Sequence, residues 1–501
     1  MNTFCFAQNF HCALTAPDYI ILAASVLLLG VITYFSGRGQ TDTNDFFVGQ
    51  RHIPSWAACL SFVATEVSAL TVVGVPATAF KENWQYMQFV IGSAVARVVI
   101  AYLFIPVFYK YRCVTIYEYL RHRFGPETQY TGSAFFFIGR LLGSGVRLYA
   151  ACLAVGLILG WNLWLSIVFF TIFSIAFIAF GGIKAVVWTG VISTFIFYLA
   201  GFAVLGFLMF NLHGSFHSLF AAASAAGKLS FINWGFNIID PNIVWMAVLN
   251  GLLVSMASFG TDQELMQRML TVETRQSSQK ALVSTILGSV PLTILYMAVG
   301  TGIYMYFTQH PALPLPDNSD KILAHFTNLV LPAGLRGLVL AAIILASMHS
   351  PLGSLSSSFV TDIYRTLIRR GASEKHYLLV SRISVGVFGL ILAVLAYMCS
   401  ALEGILWFAF KITAVTAGSM LGVFLLGMLT GVRVNKMNVV SMILNSVVMT
   451  ILLVLSEKHL IGLGWSWLIL FGTAGTIIVS MLLAKYEHMP PKTEPEPLEQ
   501  D

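Results

Sequence analysis

Six charged side chains fall inside stretches that are otherwise apolar: Glu66, Arg97, Arg140, Arg147, Arg382 and Lys411. A charge in hydrocarbon costs at least a few kcal/mol, so each needs a partner or a function. Glu66 stands in Ala64-Thr65-Glu66-Val67-Ser68, followed by Gly74 and Pro76. A small, polar, Gly/Pro-bearing stretch suits an interrupted helix, and such breaks are tolerated where they line a cavity. A carboxylate there can hold a cation or a proton; it can equally be one half of a structural salt bridge to an arginine of another helix. Arg97 and Arg382 lie near enough to span ends or neighbouring helices to be structural, since long basic side chains snorkel.

Arg140 and Arg147 are seven residues apart, which places them on one face of a helix two turns apart. With Lys411 they would suit an anionic solute if they face a cavity; the alternative is that one of them neutralises Glu66. Ser347, His349, Ser350, Ser354, Ser356, Ser357 and Ser358 share one apolar stretch. Hydroxyls at helical spacing can coordinate an alkali cation, but small serines also serve helix packing. Packing is expected for Ser354 to Ser358, and a packed histidine for His349. The six cysteines form no CxxC and no metal-ligand spacing; Cys5 and Cys12 could close a short extracytoplasmic disulfide. No metal-ligand cluster, nucleophile motif or HExxH points to an enzyme.

The elements that must position these residues are membrane helices. Of 501 residues, 57% are hydrophobic and only 10% charged, with a mean hydropathy of +0.81. A soluble protein carries roughly 25% charged residues, so the solvent of this chain is lipid. Stretches of about 20 apolar residues mark spans. Thirteen are expected, near 18–36, 55–80, 86–109, 130–160, 162–181, 184–212, 241–261, 279–307, 334–361, 377–400, 403–430, 438–456 and 465–484. With the N-terminus outside, eighteen lysines and arginines fall on inner segments and five on outer ones. The positive-inside rule therefore predicts residues 1–17 outside and the C-terminus inside. It also accounts for the net charge of +6 without any nucleic-acid partner. No secretory signal is expected, because residues 1–17 hold no Lys or Arg. The Pro-rich acidic segment 485–501 is expected to be a disordered cytoplasmic tail.

Several motifs, in order along the chain, resemble the sodium:solute symporter family. Ser61-Phe62-Val63-Ala64-Thr65-Glu66-Val67-Ser68-Ala69, leading to Gly74-Val75-Pro76, resembles its first core helix. Pro106-Val107-Phe108-Tyr109, Ile116-Tyr117-Glu118-Tyr119-Leu120 and Arg123-Phe124-Gly125 resemble its first large inner loop. Gly181-Gly182-Ile183-Lys184-Ala185 with Trp188-Thr189 is similar to its GG-[LI]-x-A-V-x-W-T-D stretch, and Asp262-Gln263 with Gln267-Arg268 to its N/D-Q-x-x-x-Q-R signature. Leu421-Gly422-Val423-Phe424-Leu425-Leu426-Gly427 resembles its G-x-F-L-L-G turn. The resemblance implies an all-α, LeuT-type fold of two inverted five-helix repeats, about 55–212 and 241–430, within a transporter domain over 18–484.

It also implies sodium-coupled uptake by alternating access, with Na+ as the coupling ion and no other cofactor. The family's sodium ligands fall on the carbonyls of Ala64, Val67 and Ile343 and on two hydroxyl positions that are here Ala346 and Ser347. One hydroxyl is thus missing, and the W-T-D aspartate is Gly190. Glu66 falls where some members carry an acid needed for ion binding. The substrate site is expected between spans two, four, seven and eleven, with Arg140, Arg147, Ser255, Ser258, Phe410 and Lys411 as its candidate residues. The family's sugar-binding pattern is absent, and an anion such as a carboxylate fits the cations better. The expected protein is a multi-pass plasma-membrane importer of a small organic anion with sodium. A proton-coupled or ion-independent transporter, or a non-transporting solute sensor, are the alternatives.

Overall fold

The computed structural model describes residues 14–487, apart from 68, 237–239, 241, 317, 349–350, 400–404, 459 and 465. All regular elements among them are helical. In chain order they are α1 (Ala16–Gly37), α2 (Thr43–Val48), α3 (Ser55–Glu66), α4 (Ala69–Lys81), α5 (Tyr86–Leu103), α6 (Ile105–Lys110) and α7 (Tyr117–Arg123). Then come α8 (Pro126–Leu159), α9 (Leu163–Asn211), α10 (Phe216–Ala225), α11 (Val244–Ser255), α12 (Gln263–Met269), α13 (Arg275–Gln309) and α14 (Ile322–Leu329). The last are α15 (Leu335–Met348), α16 (Leu352–Ser358), α17 (Glu374–Cys399), α18 (Ile405–Leu429), α19 (Lys436–Glu457) and α20 (Trp467–Leu483). Nine helices among the described residues are long and apolar enough to cross a membrane, or eleven if each sharply bent pair is one span.

The bends fall where the sequence places the first helix of each repeat. Helices α3 and α4 meet at 55°, and α11 with its π-helical end Met256–Gly260 meets α12 at 70°. A helix end leaves its last carbonyls without intrahelical partners, and in a membrane that is affordable only beside an internal ligand or cavity. The expected spans 162–181 and 184–212 are the two halves of α9. They are separated by Gly182, whose φ of 57° and ψ of −157° no residue with a side chain adopts comfortably. There α9 closes on α2 and the segment before it, where Gln40 Nε2 donates to Gly181 O at 2.9 Å and Lys184 pairs with Asp45 of α2 at 2.5 Å.

Close helix crossings are made at glycines. Helices α5 and α11 form the largest helix pair among the described residues. A Cβ on Gly92 would run into the Val248 carbonyl, and one on Gly251 into the Phe89 carbonyl. Small residues at such crossings let two backbones touch, which dispersion forces then hold. At the N-terminus, buried Asp18 fixes α1 to the start of α15, accepting from Gly334 N and Gly337 N at 2.8 Å each.

The C-terminal boundary differs from expectation. Residues 485–487 are ordered, not part of a disordered tail: Ala484–Tyr486 is a 3-10 turn, and Glu487 accepts from the backbone N–H of Asn435, Lys436 and Met437 at 2.8 to 3.1 Å. A carboxylate at a helix N-terminus satisfies free N–H groups and meets the positive end of the dipole, which holds this segment against α19. The rest of the expected tail, and Cys5 and Cys12, lie outside the described residues.

The loop between α6 and α8 is packed rather than free. Glu118 of α7 accepts from Val114 N at 2.6 Å and Thr115 N at 3.2 Å. Arg123 donates to Gly427 O at 3.0 Å and Thr430 O at 2.7 Å, capping the end of α18. Thr115 Oγ1 reaches the buried carboxylate of Asp362 at 2.6 Å. Burial first, and then the Asp362 charge, push Glu118 up to about 7 from its ordinary 4.5.

Two outcomes are expected. Gly92→Val should destabilise the fold by about 3 kcal/mol or more and reduce the monodisperse fraction in size-exclusion chromatography, whereas Gly206→Ala, with open space around it, should not. For Glu118, the unfolded chain releases its proton near 4.5 and the folded chain near 7. Its contribution to stability is therefore complete below 4.5 and lost as pH rises through 7. Thermal melts of Glu118→Gln should lack that part of the decline between about pH 5 and about pH 8; identical pH profiles for variant and wild type would contradict the assignment.

Candidate sodium and anion site

Helix α3 ends in the middle of its span at Glu66, whose side chain reaches Arg97. The two are ion-paired, and the Arg97 guanidinium also donates to Ser93 Oγ at 3.3 Å and lies 5.0 Å from the centre of the Phe259 ring. Arg97 is thus structural, as expected, and Glu66 takes the salt-bridge alternative that the sequence left open. The pair joins α3, α5 and the π-helical end of α11. Val67 caps α3 with non-helical angles, its N–H bonding to Val63 O at 2.9 Å. Helix α3 stops there, and the last turn of an α-helix as a rule leaves carbonyls without intrahelical N–H partners.

Across from this break runs α15. Ser347 Oγ donates to Ile343 O at 2.7 Å, so the two expected ligands of this helix are in contact. A cavity of about 40 Å³ is lined by Thr65, Arg147, Ala346 and Ser347, together with Ser144, Thr171 and Ser174. It brings the α3 break, the end of α15 and the middle of α8 to one space. Ser144 and Thr171 are buried, and their hydroxyls have no hydrogen-bond partner among the described residues. The sequence did not mark them, because a hydroxyl in an apolar helix reads as packing until a cavity is found beside it.

Arg140 and Arg147 have different fates. Arg140 is not the uncompensated cation expected: it pairs with Asp262 and, at 2.7 Å, with Glu264, and its Nε donates to Asp262 Oδ2 at 3.1 Å. Its guanidinium is committed to α12 and is not open to a solute. Arg147 lines the cavity and makes no ion pair or hydrogen bond among the described residues. Ser255 and Ser258 sit at the π-helical end of α11 and are not among the cavity-lining residues. The side chains of Phe410 and Lys411, and residues His349 and Ser350, lie outside the described set. Ser354, Ser356, Ser357 and Ser358 are all engaged in hydrogen bonds within the protein, which is the packing role expected of them.

Glu264 escaped the sequence reading because the seventh span was ended at 261, before the bend. Helix α12 is buried along its whole length and stitched to four elements. Asp262 caps it, accepting from Glu264 N at 2.9 Å. Gln263 takes Ile116 N at 2.9 Å and gives to Val114 O at 3.0 Å. Gln267 donates to Phe47 O at 2.8 Å, and Arg268 to Ser61 Oγ at 3.2 Å. The Asp-Gln…Gln-Arg signature is thus a set of side chains that bolt one short helix beneath the cavity.

A profile of the sodium:solute symporter family matches residues 46–444. This chain belongs to the sodium:solute symporter family. A sodium/sialic acid symporter of Proteus mirabilis is 28% identical over 473 residues, covering 92% of each chain. The human sodium-coupled monocarboxylate transporter 1 is 26% identical, covering 82% of this chain and 69% of the relative. A solved Na+-coupled sialic acid symporter, substrate-bound and outward-open, superposes with a TM-score of 0.85 at 24% identity over 95% of this chain and 98% of its own. The symporter therefore has the LeuT-type fold, and is a multi-pass membrane transporter with sodium as its coupling ion.

Gly190, where the family's W-T-D motif has its acid, has a steric reason in this symporter. A Cβ there would stand 2.7 Å from Ser61 Cα and Oγ, so α9 and α3 approach too closely for an aspartate. Breaking one side of the Arg140 cluster leaves buried charge unpaired. Arg140→Met is expected to cost about 3–5 kcal/mol in equilibrium unfolding. Adding Asp262→Asn and Glu264→Gln to it should recover part of that loss. Additive losses in the triple variant would mean the three do not act as a unit.

Proposed function

We propose that this chain imports a small organic monoanion together with sodium, the anion's carboxylate being held by Arg147. The observation that carries the reading is that Arg147 stands unpaired beside a cavity while Arg140, two turns away on the same helix, is fully paired. Arg140, Arg147 and Arg268 share one electrostatic cluster with only two carboxylates, Asp262 and Glu264. One positive charge is left over, and an unpaired charge in this setting is retained for a ligand rather than for stability. A guanidinium binds a carboxylate bidentately, and the free hydroxyls of Ser144 and Thr171 suit further oxygens on the solute. Relatives named for sialic acid and for monocarboxylates, both carboxylate-bearing solutes, support the same class.

Sodium binds, in this proposal, to the carbonyls of Ala64, Val67 and Ile343 and to the Ser347 hydroxyl. Glu66 acts through Arg97, fixing the end of α3 so that its free carbonyls face the ion. Thirteen spans with the N-terminus outside put α12 on the cytoplasmic side of the cavity. The Arg140 cluster then closes the path inward, and it must part from α12 when the transporter opens to the cytoplasm. The membrane potential contributes about 2.3 kcal/mol per net positive charge moved per 100 mV.

Uptake into proteoliposomes tests this. Labelled pyruvate, lactate and N-acetylneuraminate should be offered against an inward sodium gradient, an inward proton gradient and neither. Sodium-driven accumulation of at least one carboxylate is expected. Arg147→Gln should lower it at least about 100-fold, the loss of a buried charge-assisted pair, and Ser347→Ala should raise the half-saturating sodium concentration. Accumulation driven by protons and indifferent to sodium would overturn the ion half of the proposal. Uptake of neutral sugars that carboxylates do not inhibit would overturn the solute half.

A further inference from the structure

The cavity that holds Arg147 is also bounded by Thr65, Ala346 and Ser347, so the proposed cation site and the unpaired guanidinium border one small space. We propose that Arg147 is an electrostatic interlock: its charge opposes sodium binding until a carboxylate neutralises it. This rests on the sodium and anion positions proposed above and adds how the two are coupled.

The argument is one of charge and distance. Sodium entering between α3 and α15 meets neutral ligands, namely carbonyls and one hydroxyl. Its nearest carboxylate on α3, Glu66, is already spent on Arg97. The acids of α12 are spent on Arg140, and the Arg268 cluster leaves the region one positive charge in excess. Asp262 and Glu264 act on Arg147 only at a distance while they are paired with Arg140, so three arginines share two carboxylate charges when the ion arrives. Two like charges about 10 Å apart at an effective dielectric constant of about 20 repel enough to change affinity roughly tenfold. A bound carboxylate removes that repulsion. By linkage, the solute must then raise sodium affinity by the same factor as sodium raises solute affinity. Coupling arises without direct contact between ion and solute. The protein resists filling with sodium alone, a state that would leak the gradient if it could reorient.

The test is sodium binding to purified full-length protein without solute, titrated against choline at constant ionic strength and read by isothermal calorimetry and by thermal shift. Arg147→Gln should bind sodium roughly tenfold more tightly than wild type. Arg147→Lys, which keeps the charge and checks that packing at this position is tolerated, should bind it as wild type does. Ser347→Ala should bind it more weakly. If Ser347→Ala weakens binding but Arg147→Gln changes it by less than about twofold, the interlock is wrong and the sodium site stands. Should Ser347→Ala leave sodium binding untouched, the placement of the sodium site fails, and the interlock with it.

Discussion

A charge inside a bilayer has no water to fall back on, and the packing of α8 against α12 is arranged around that constraint. Arg140 of α8 can be buried because Asp262 and Glu264 come to it. They can do so only because the seventh span stops at Gly260 and restarts as α12 at a 70° bend. Bending a span frees backbone groups that hydrocarbon will not solvate. The side chains of Asp262, Gln263, Gln267 and Arg268 supply the local caps and cross-links. The ion pair and the broken helix thus require one another.

The other break follows the same logic with a different result. At Glu66 the chain gives its carboxylate to Arg97, and α3 ends at Val67 beside the cavity that Thr65 lines. Carbonyl oxygens at a helix end suit a bare alkali ion, which is the role proposed for this break. The two breaks therefore divide the work. One helix end is satisfied and cross-linked by protein side chains. The other is the one to which the proposed function assigns the sodium ion. A transporter needs both, since a site complete without its ligand would have no reason to change state when the ligand arrives.

Glycine decides how closely these pieces sit. Gly190 lies against Ser61, and Gly92 and Gly251 let α5 and α11 touch through their backbones. The family acid missing at position 190 is thereby a consequence of packing: Ser61 of α3 lies where that side chain would have to be.

The sequence alone determined the class of protein, the approximate limits of many of its membrane helices and the position of the break at Glu66, but not the bend after Gly260. Composition, hydropathy and local Gly/Pro/polar patterns are properties of short stretches, and short stretches carry them whole. It also marked every buried charge of the α8 helix. It did not separate Arg140 from Arg147, which are the same residue type on the same face of the same helix. Nor did it choose between a cation site and a salt bridge for Glu66. Those outcomes depend on which groups of α12 and α5 arrive opposite them, across more than 100 residues of chain in the case of Arg140 and Asp262. Pairing across such a separation is fixed by how the helices cross and where they bend. Only the tertiary structure therefore decided which arginine is paired and which stands beside the cavity without an ion pair.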